Sequence, residues 1–151
     1  MNIIKHALIT LISSGLLVAG GNVLAQETPA AAPAGVKLVE AKAVQDLQAK
    51  GAVLIDTRKA NEFSEATIKG AISVPYDPEK SAKDANFDAA QDKYDMGKIA
   101  DKNKDYVLFC NSGTCWKSYK AAVVLAKNGY KNVYWYRNGF PDWKARKLPT
   151  E

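Results

Sequence analysis

Two cysteines have the surroundings to do chemistry. Cys110 and Cys115 are separated by the polar loop Asn111-Ser112-Gly113-Thr114 and followed at once by Trp116 and Lys117. Before them, Tyr106 to Phe109 is an apolar and aromatic run of the kind a buried strand shows. After them, Trp116, Tyr119, Val123 and Ala126 recur at helical spacing, and Asn128-Gly129 supplies the stop. Strand, loop and helix in that order gather loop amides and the positive end of a helix dipole around one sulfur, a nest for an anion. Helix N-termini lower a cysteine pKa from about 8.5 to roughly 3.5 to 7.5, so Cys110 is expected as an exposed thiolate. A cysteine that only fills the core has no need of a glycine-containing cradle.

The means of activating that thiol are restricted. The sequence has a single histidine, His6, in a segment expected to be removed. Cys-His and Ser-His-Asp catalysis are then excluded, as is any histidine-containing zinc site, and two cysteines are too few for a closed thiolate site. Asp101-Lys102-Asn103-Lys104-Asp105 imitates the start of a calcium loop, but Tyr106 stands where its glycine belongs and Ser112 where its bidentate glutamate belongs. A further charged pair, Asp56 and Arg58, follows the apolar run Ala52 to Ile55, at the end of a strand where open α/β sheets place ligands. It is either a buried pair that braces the active-site loop or an exposed turn before a helix containing Ala60 and Phe63.

Positioning these residues takes one domain. The chain has 151 residues, 47% of them hydrophobic, enough for one core. Met1 to Ala25 has Lys5, an apolar run from Ala7 to Val18 and the small-residue pattern Val23-Leu24-Ala25. It reads as a secretory signal cut after Ala25, with an uncleaved anchor as the alternative, and it directs the protein to the periplasm or the exterior. Gln26 to Gly35 is rich in alanine and proline and reads as a flexible leader. Residues 36–151 then form a single domain.

Within that domain, strands are expected at Val36 to Val39, Ala52 to Ile55, Ala71 to Val74, Tyr106 to Phe109 and Val133 to Tyr136. Helices are expected over Glu40 to Lys50, around Ala60 and Phe63, after Cys115 and from Pro141 onward. Asp77 to Asp105 reads as a surface excursion with one or two short helices. Apolar runs alternating with helical segments give an α/β sandwich with a mainly parallel sheet. The formal charge of +5, lower by one without Lys5, is spread along the chain with no basic cluster interleaved with aromatics. It favours small anionic partners and not nucleic acid.

Taken in order, several short segments resemble a single rhodanese domain over about Val36 to Leu148. They are Asp56-Thr57-Arg58 with Glu62-Phe63, Ile68 to Pro75, Val107 to Gly113, Gly129 to Val133 and Asn138 to Trp143. The resemblance implies a three-layer α/β sandwich and a thiosulfate or persulfide sulfurtransferase in which Cys110 carries the sulfur. The cradle from Asn111 through Ser112, Gly113, Thr114 and Cys115 to Trp116 would hold the substrate, with Lys117 meeting its charge and Asp56 and Arg58 supporting the loop. A small anionic sulfur donor and a thiol, sulfite or cyanide acceptor are the implied partners, the implied scheme involves no metal or organic cofactor, and no membrane attachment is expected after cleavage.

The sequence departs from the family at Thr67, where histidine is frequent, at Asn138, where glycine is usual, and at Cys115, where arginine or a small polar residue is common. Trp116 stands where a phosphatase loop of the Cys-x5-Arg type needs arginine. The Cys-Trp pair also resembles a subset of rhodanese-like proteins linked to quinoprotein-dependent catabolism, in which the spacing differs. Cys115 either points inert into the core or resolves a persulfide, sulfenate or mixed disulfide on Cys110. Two other functions therefore stand beside sulfur transfer: a thiol-disulfide or redox-gated protein, and a non-catalytic binding module.

Overall fold

The structure, a computed structural model, describes residues 25–151, so the signal segment expected over Met1 to Ala25 lies outside it but for its last residue. Five short strands, β1 (Val36–Leu38), β2 (Val53–Asp56), β3 (Ile72–Ser73), β4 (Asp105–Phe109) and β5 (Asn132–Tyr136), form one sheet in the order β1-β5-β4-β2-β3. Every pairing is parallel. The connecting helices are α1 (Ala41–Ala49), α2 (Ala60–Glu65), α3 (Trp116–Lys127) and α4 (Gly139–Ala145). The excursion between β3 and β4 forms two 3-10 turns, Ala89–Gln91 and Gly97–Ile99. The rhodanese-type α/β sandwich expected from the sequence is the architecture found.

Alternation along the strands makes the layers, because successive side chains of a strand leave opposite faces of the sheet. Leu54, Val107, Phe109 and Tyr136 pack on one face against Ala41 and Val44 of α1 and Phe140 and Trp143 of α4. Ile55, Tyr106, Leu108 and Val133 pack on the other against Ala121, Ala122 and Leu125 of α3, with Tyr76 and Ile99 from the excursion. The excursion is fastened by a fully buried cation: Lys120 Nζ lies 2.8 Å from Glu79 and donates to the Ser81 carbonyl at 2.9 Å. Sequence periodicity gives no sign of Lys120, since a lysine among apolar helix positions reads as the solvent edge of the stripe. Among the described residues, no helix is long and apolar enough to cross a membrane.

The topology fixes where a site can open. From β2 the chain adds β3 on one side, then returns to place β4 and β5 on the other. Strand order therefore switches between β2 and β4, where parallel sheets open a crevice at their carboxyl ends. The register aligns three of those ends, with Asp56 opposite Phe109 and Phe109 opposite Tyr136. The next residues of the three strands, Thr57, Cys110 and Arg137, consequently stand side by side.

Candidate active site

Cys110 is the first residue beyond β4, and its environment differs from the expected exposed thiolate. It is 1% exposed, and its sulfur is bonded to that of Cys115, with the two Cα atoms 6.1 Å apart. The expectation fails because Cys115 takes the N-cap position of α3 with an extended backbone, φ −93° and ψ 109°, which lets its side chain turn back across the loop. The inert, core-facing alternative for Cys115 is overturned by the same bond.

Some of the donors expected to face an anion are engaged within the loop itself. Cys115 N–H donates to the Ser112 carbonyl at 3.0 Å, and the hydroxyls of Ser112 and Thr114 lie 2.9 Å apart. No side chain caps α3, so the N–H groups of its first turn remain available at the site. Asn111 Nδ2 donates to Glu62 Oε1 at 2.7 Å. Burial acts to raise the Glu62 pKa, but the bonds from Asn111 and the Lys59 N–H, with the charges of Arg58 and Lys117, outweigh it and hold the carboxyl below its ordinary value. Lys117 Nζ is buried without a hydrogen-bond partner among the described residues and lies 3.6 Å from Asp77. The Trp116 indole lies on the apolar stripe of α3, as its spacing predicts, and is buried edge-on to Tyr119, so its backbone rather than its ring borders the loop.

On the β2 side, the two readings of Asp56 and Arg58 resolve to the buried pair. Their side chains meet at 2.6 Å and are 0% and 5% exposed. Asp56 Oδ2 also accepts from Thr67 Oγ1 at 2.8 Å, and Arg58 Nη2 donates to the Ala66 carbonyl at 2.7 Å. The guanidinium lies 4.3 Å from the Phe140 ring centroid, and Phe140 N–H donates to the Cys110 carbonyl at 2.8 Å. The brace thus reaches Cys110 through Phe140. Thr57, given no role by the sequence reading, donates to the Phe109 carbonyl from both its N–H at 3.1 Å and its hydroxyl at 2.9 Å.

Gly139 is also forced. Its φ is +66°, and a Cβ there would fall 2.3 Å from the Cys110 oxygen. An open cavity of about 580 Å³ adjoins this flank, lined by Arg58, Glu62, Asn111, Phe140, Pro141 and Lys144 among others.

The β5 side holds what the sequence did not disclose. Gln26 to Pro29, read as part of a flexible leader, forms a strap over the loop. Thr28 donates to the Gly113 carbonyl from its N–H at 2.7 Å and its hydroxyl at 2.6 Å, and Trp116 Nε1 donates to the Gln26 carbonyl at 2.9 Å. Arg137 Nε donates to Thr28 Oγ1 and the Pro29 carbonyl, and Nη2 to the Thr28 carbonyl and Glu27. The leader is ordered here because a guanidinium needs several acceptors in one plane and extended backbone carbonyls provide them. One signal was present: Arg137 is one of only three arginines among many lysines, and it closes a predicted strand.

Comparison with known proteins fits this arrangement. The rhodanese-like domain family matches residues 40–146. The chain belongs to the rhodanese-like family. It is 30% identical to a thiosulfate sulfurtransferase, GlpE, of Actinobacillus succinogenes over 70% of this chain and 80% of that one. A thiosulfate:glutathione sulfurtransferase of Saccharomyces cerevisiae is 31% identical over 60% of this chain and 63% of its own. A tRNA uridine(34) hydroxylase of Hamiltonella defensa is 29% identical over 65% of this chain but only 26% of the hydroxylase. Among solved structures, a Lactobacillus plantarum protein is similar with a TM-score of 0.57 and 27% identity, covering 76% of this chain and 87% of that one.

Proposed function

We propose that this rhodanese-like chain is a sulfurtransferase that moves a sulfane sulfur from thiosulfate or a persulfide to a thiol, sulfite or cyanide acceptor, and that it works only with the Cys110–Cys115 bond reduced. The observation that carries the reading is Cys110 at the carboxyl end of β4, facing a five-residue turn into the uncapped N-terminus of α3. In the reduced chain the Cys110 thiolate attacks the outer sulfur of thiosulfate, sulfite departs with the bonding pair, and a persulfide anion remains on Cys110. Loop amides and the first turn of α3 stabilise the negative charge on the donor and on the persulfide, with Lys117 as the nearby cation. The relatives named as thiosulfate sulfurtransferases support the donor class.

The disulfide supports the redox component of the reading, since the bonded form has no nucleophile to offer. It also fits the periplasmic or secreted location proposed from the Met1 to Ala25 segment, because disulfides persist in oxidising compartments. The test is thiocyanate release from thiosulfate and cyanide by the chain purified with and without reductant. Reduced protein should turn over, unreduced protein should not, and Cys110→Ser should be inactive in both states. Equal activity in the two states would remove the gate; inactivity of the reduced chain would remove the transferase. Rapid exchange of the unreduced chain with a dithiol, in a protein that never takes up sulfur once reduced, would leave a thiol-disulfide protein instead.

A further inference from the structure

The position of Cys115 suggests more than a gate. We infer that Cys115 is the acceptor's substitute: it attacks the Cys110 persulfide within the same chain, so that the protein reduces sulfane sulfur to hydrosulfide and ends the turnover as the Cys110–Cys115 disulfide. The inference rests on the sulfurtransferase reading and assigns that site its second substrate class, an external dithiol.

The geometry that brings the two sulfurs together is set by backbone contacts independent of the bond between them. Phe140 N–H holds the Cys110 carbonyl, the Ser112 carbonyl holds Cys115 N–H, and Thr28 holds the Gly113 carbonyl midway along the loop. Reduction therefore leaves Cys115 beside Cys110, and a persulfide formed on Cys110 presents its inner sulfur to a neighbour already in place. An intramolecular attack of this kind outcompetes a dissolved thiol, because the orientation has been established by folding.

The step balances without an added oxidant. The Cys115 sulfur bonds to Cys110 Sγ, the Sγ–S bond of the persulfide breaks, and the terminal sulfur leaves as hydrosulfide with the proton of the Cys115 thiol. Two electrons pass from the two cysteines to the sulfane sulfur. With thiosulfate as donor, the dithiol chain and thiosulfate become sulfite, hydrosulfide and the disulfide chain.

Recovery requires two electrons from a dithiol, and the structure indicates where it attacks. Cys110 is buried whereas Cys115 is only partly so, so an incoming thiolate reaches Cys115. Cys110 then leaves as a thiolate facing the loop and the first turn of α3. The second thiol of the reductant displaces Cys115, and the chain is ready again. The class of reaction that must accompany this one is a supply of reduced dithiol.

The test is a single turnover. Full-length chain is reduced, freed of reductant without air, and mixed with one equivalent of thiosulfate and no acceptor; sulfite, hydrosulfide and intact mass are then measured. Wild type is expected to release sulfite and hydrosulfide, each at about one per chain, and to lose two hydrogens. Cys115→Ser, with Cys115→Ala as a second variant, is expected to release sulfite, gain one sulfur and give no hydrosulfide. Wild type that keeps the added sulfur, or a Cys115 variant that releases hydrosulfide as wild type does, overturns the inference while leaving the transferase reading intact. Absence of sulfite from wild type and both variants instead overturns the transferase reading, and this inference with it.

Discussion

The two flanks of the Cys110–Cys115 loop are built from the same kind of part, an arginine at the carboxyl end of a strand, and they hold the loop in opposite ways. Arg58 is sealed against Asp56 and stacked on Phe140, so its charge is neutralised inside the protein. Arg137 keeps 22% of its side chain in solvent and directs most of its hydrogen bonds to the Thr28 hydroxyl and the carbonyls of the strap. A buried charge pair is intolerant of losing either member, because the survivor is left desolvated and unpaired. A partly exposed guanidinium that loses its acceptors is taken up by water. One flank should therefore report on global stability and the other on local opening of the loop.

The sharpest way to break this contrast is Asp56→Ala against Arg137→Ala. Removing Asp56 orphans Arg58 and should cost about 3–5 kcal/mol, whereas Arg137→Ala should cost about 1 kcal/mol. Denaturant titration of each chain checks both, and equal losses would end the distinction. The two glycines sharpen it further. At Gly139 an added Cβ meets the Cys110 backbone at 2.3 Å, with φ already +66°, and Gly139→Ala should cost about 2–4 kcal/mol. At Gly113 the Cβ meets Arg137 Nη1 at 2.7 Å, the far end of a side chain that can swing away. Gly113→Ala should therefore cost under about 1 kcal/mol, and thermal unfolding of the pair tests the difference.

A smaller effect with a distinct readout is expected from Thr28→Val. It deletes the hydroxyl that donates to the Gly113 carbonyl and accepts from Arg137 Nε, while the Thr28 N–H bond survives. About 1 kcal/mol is the expected loss. The disulfide beneath should nevertheless be reduced faster by a small dithiol, since loosening the strap increases access to Cys115. An unchanged reduction rate would show that the strap does not cover the bond.

These flanks also show which parts of the site were legible in the sequence. Cys110, its loop and α3 could be read because strand, loop and helix are adjacent in the chain and each has its own periodicity. Asp56 and Arg58 could be read as a brace or as an exposed turn but not told apart, since what buries them comes from Ala66, Thr67 and Phe140, elsewhere in the chain. The last helix starts at Gly139 rather than Pro141 because the loop, not the proline, dictates its first turn: Phe140 N–H is taken by Cys110. The strap left no trace in composition. Its contacts run through carbonyls, which every residue has, to an arginine more than a hundred positions away.

The smallest effect concerns pH and belongs to the Asp56–Arg58 flank. The Glu62 carboxyl is held below its ordinary value in the folded chain, so it binds a proton less readily there than when unfolded. Its contribution to stability is therefore complete above the ordinary glutamate pKa of about 4.3 and is lost as pH falls through the depressed folded value. Protonation weakens the acceptor on which Asn111 Nδ2 and the Lys59 N–H converge, releasing the first residue of the loop before the sheet is affected. Asp92 and Asp142 are depressed as well, so acid will destabilise the chain for several reasons at once. Comparing melting temperatures of wild type and Glu62→Gln across that range removes the shared part. The wild-type advantage should be present near neutral pH and shrink as the solution is acidified; an advantage independent of pH would mean that shape rather than charge ties Asn111 to α2.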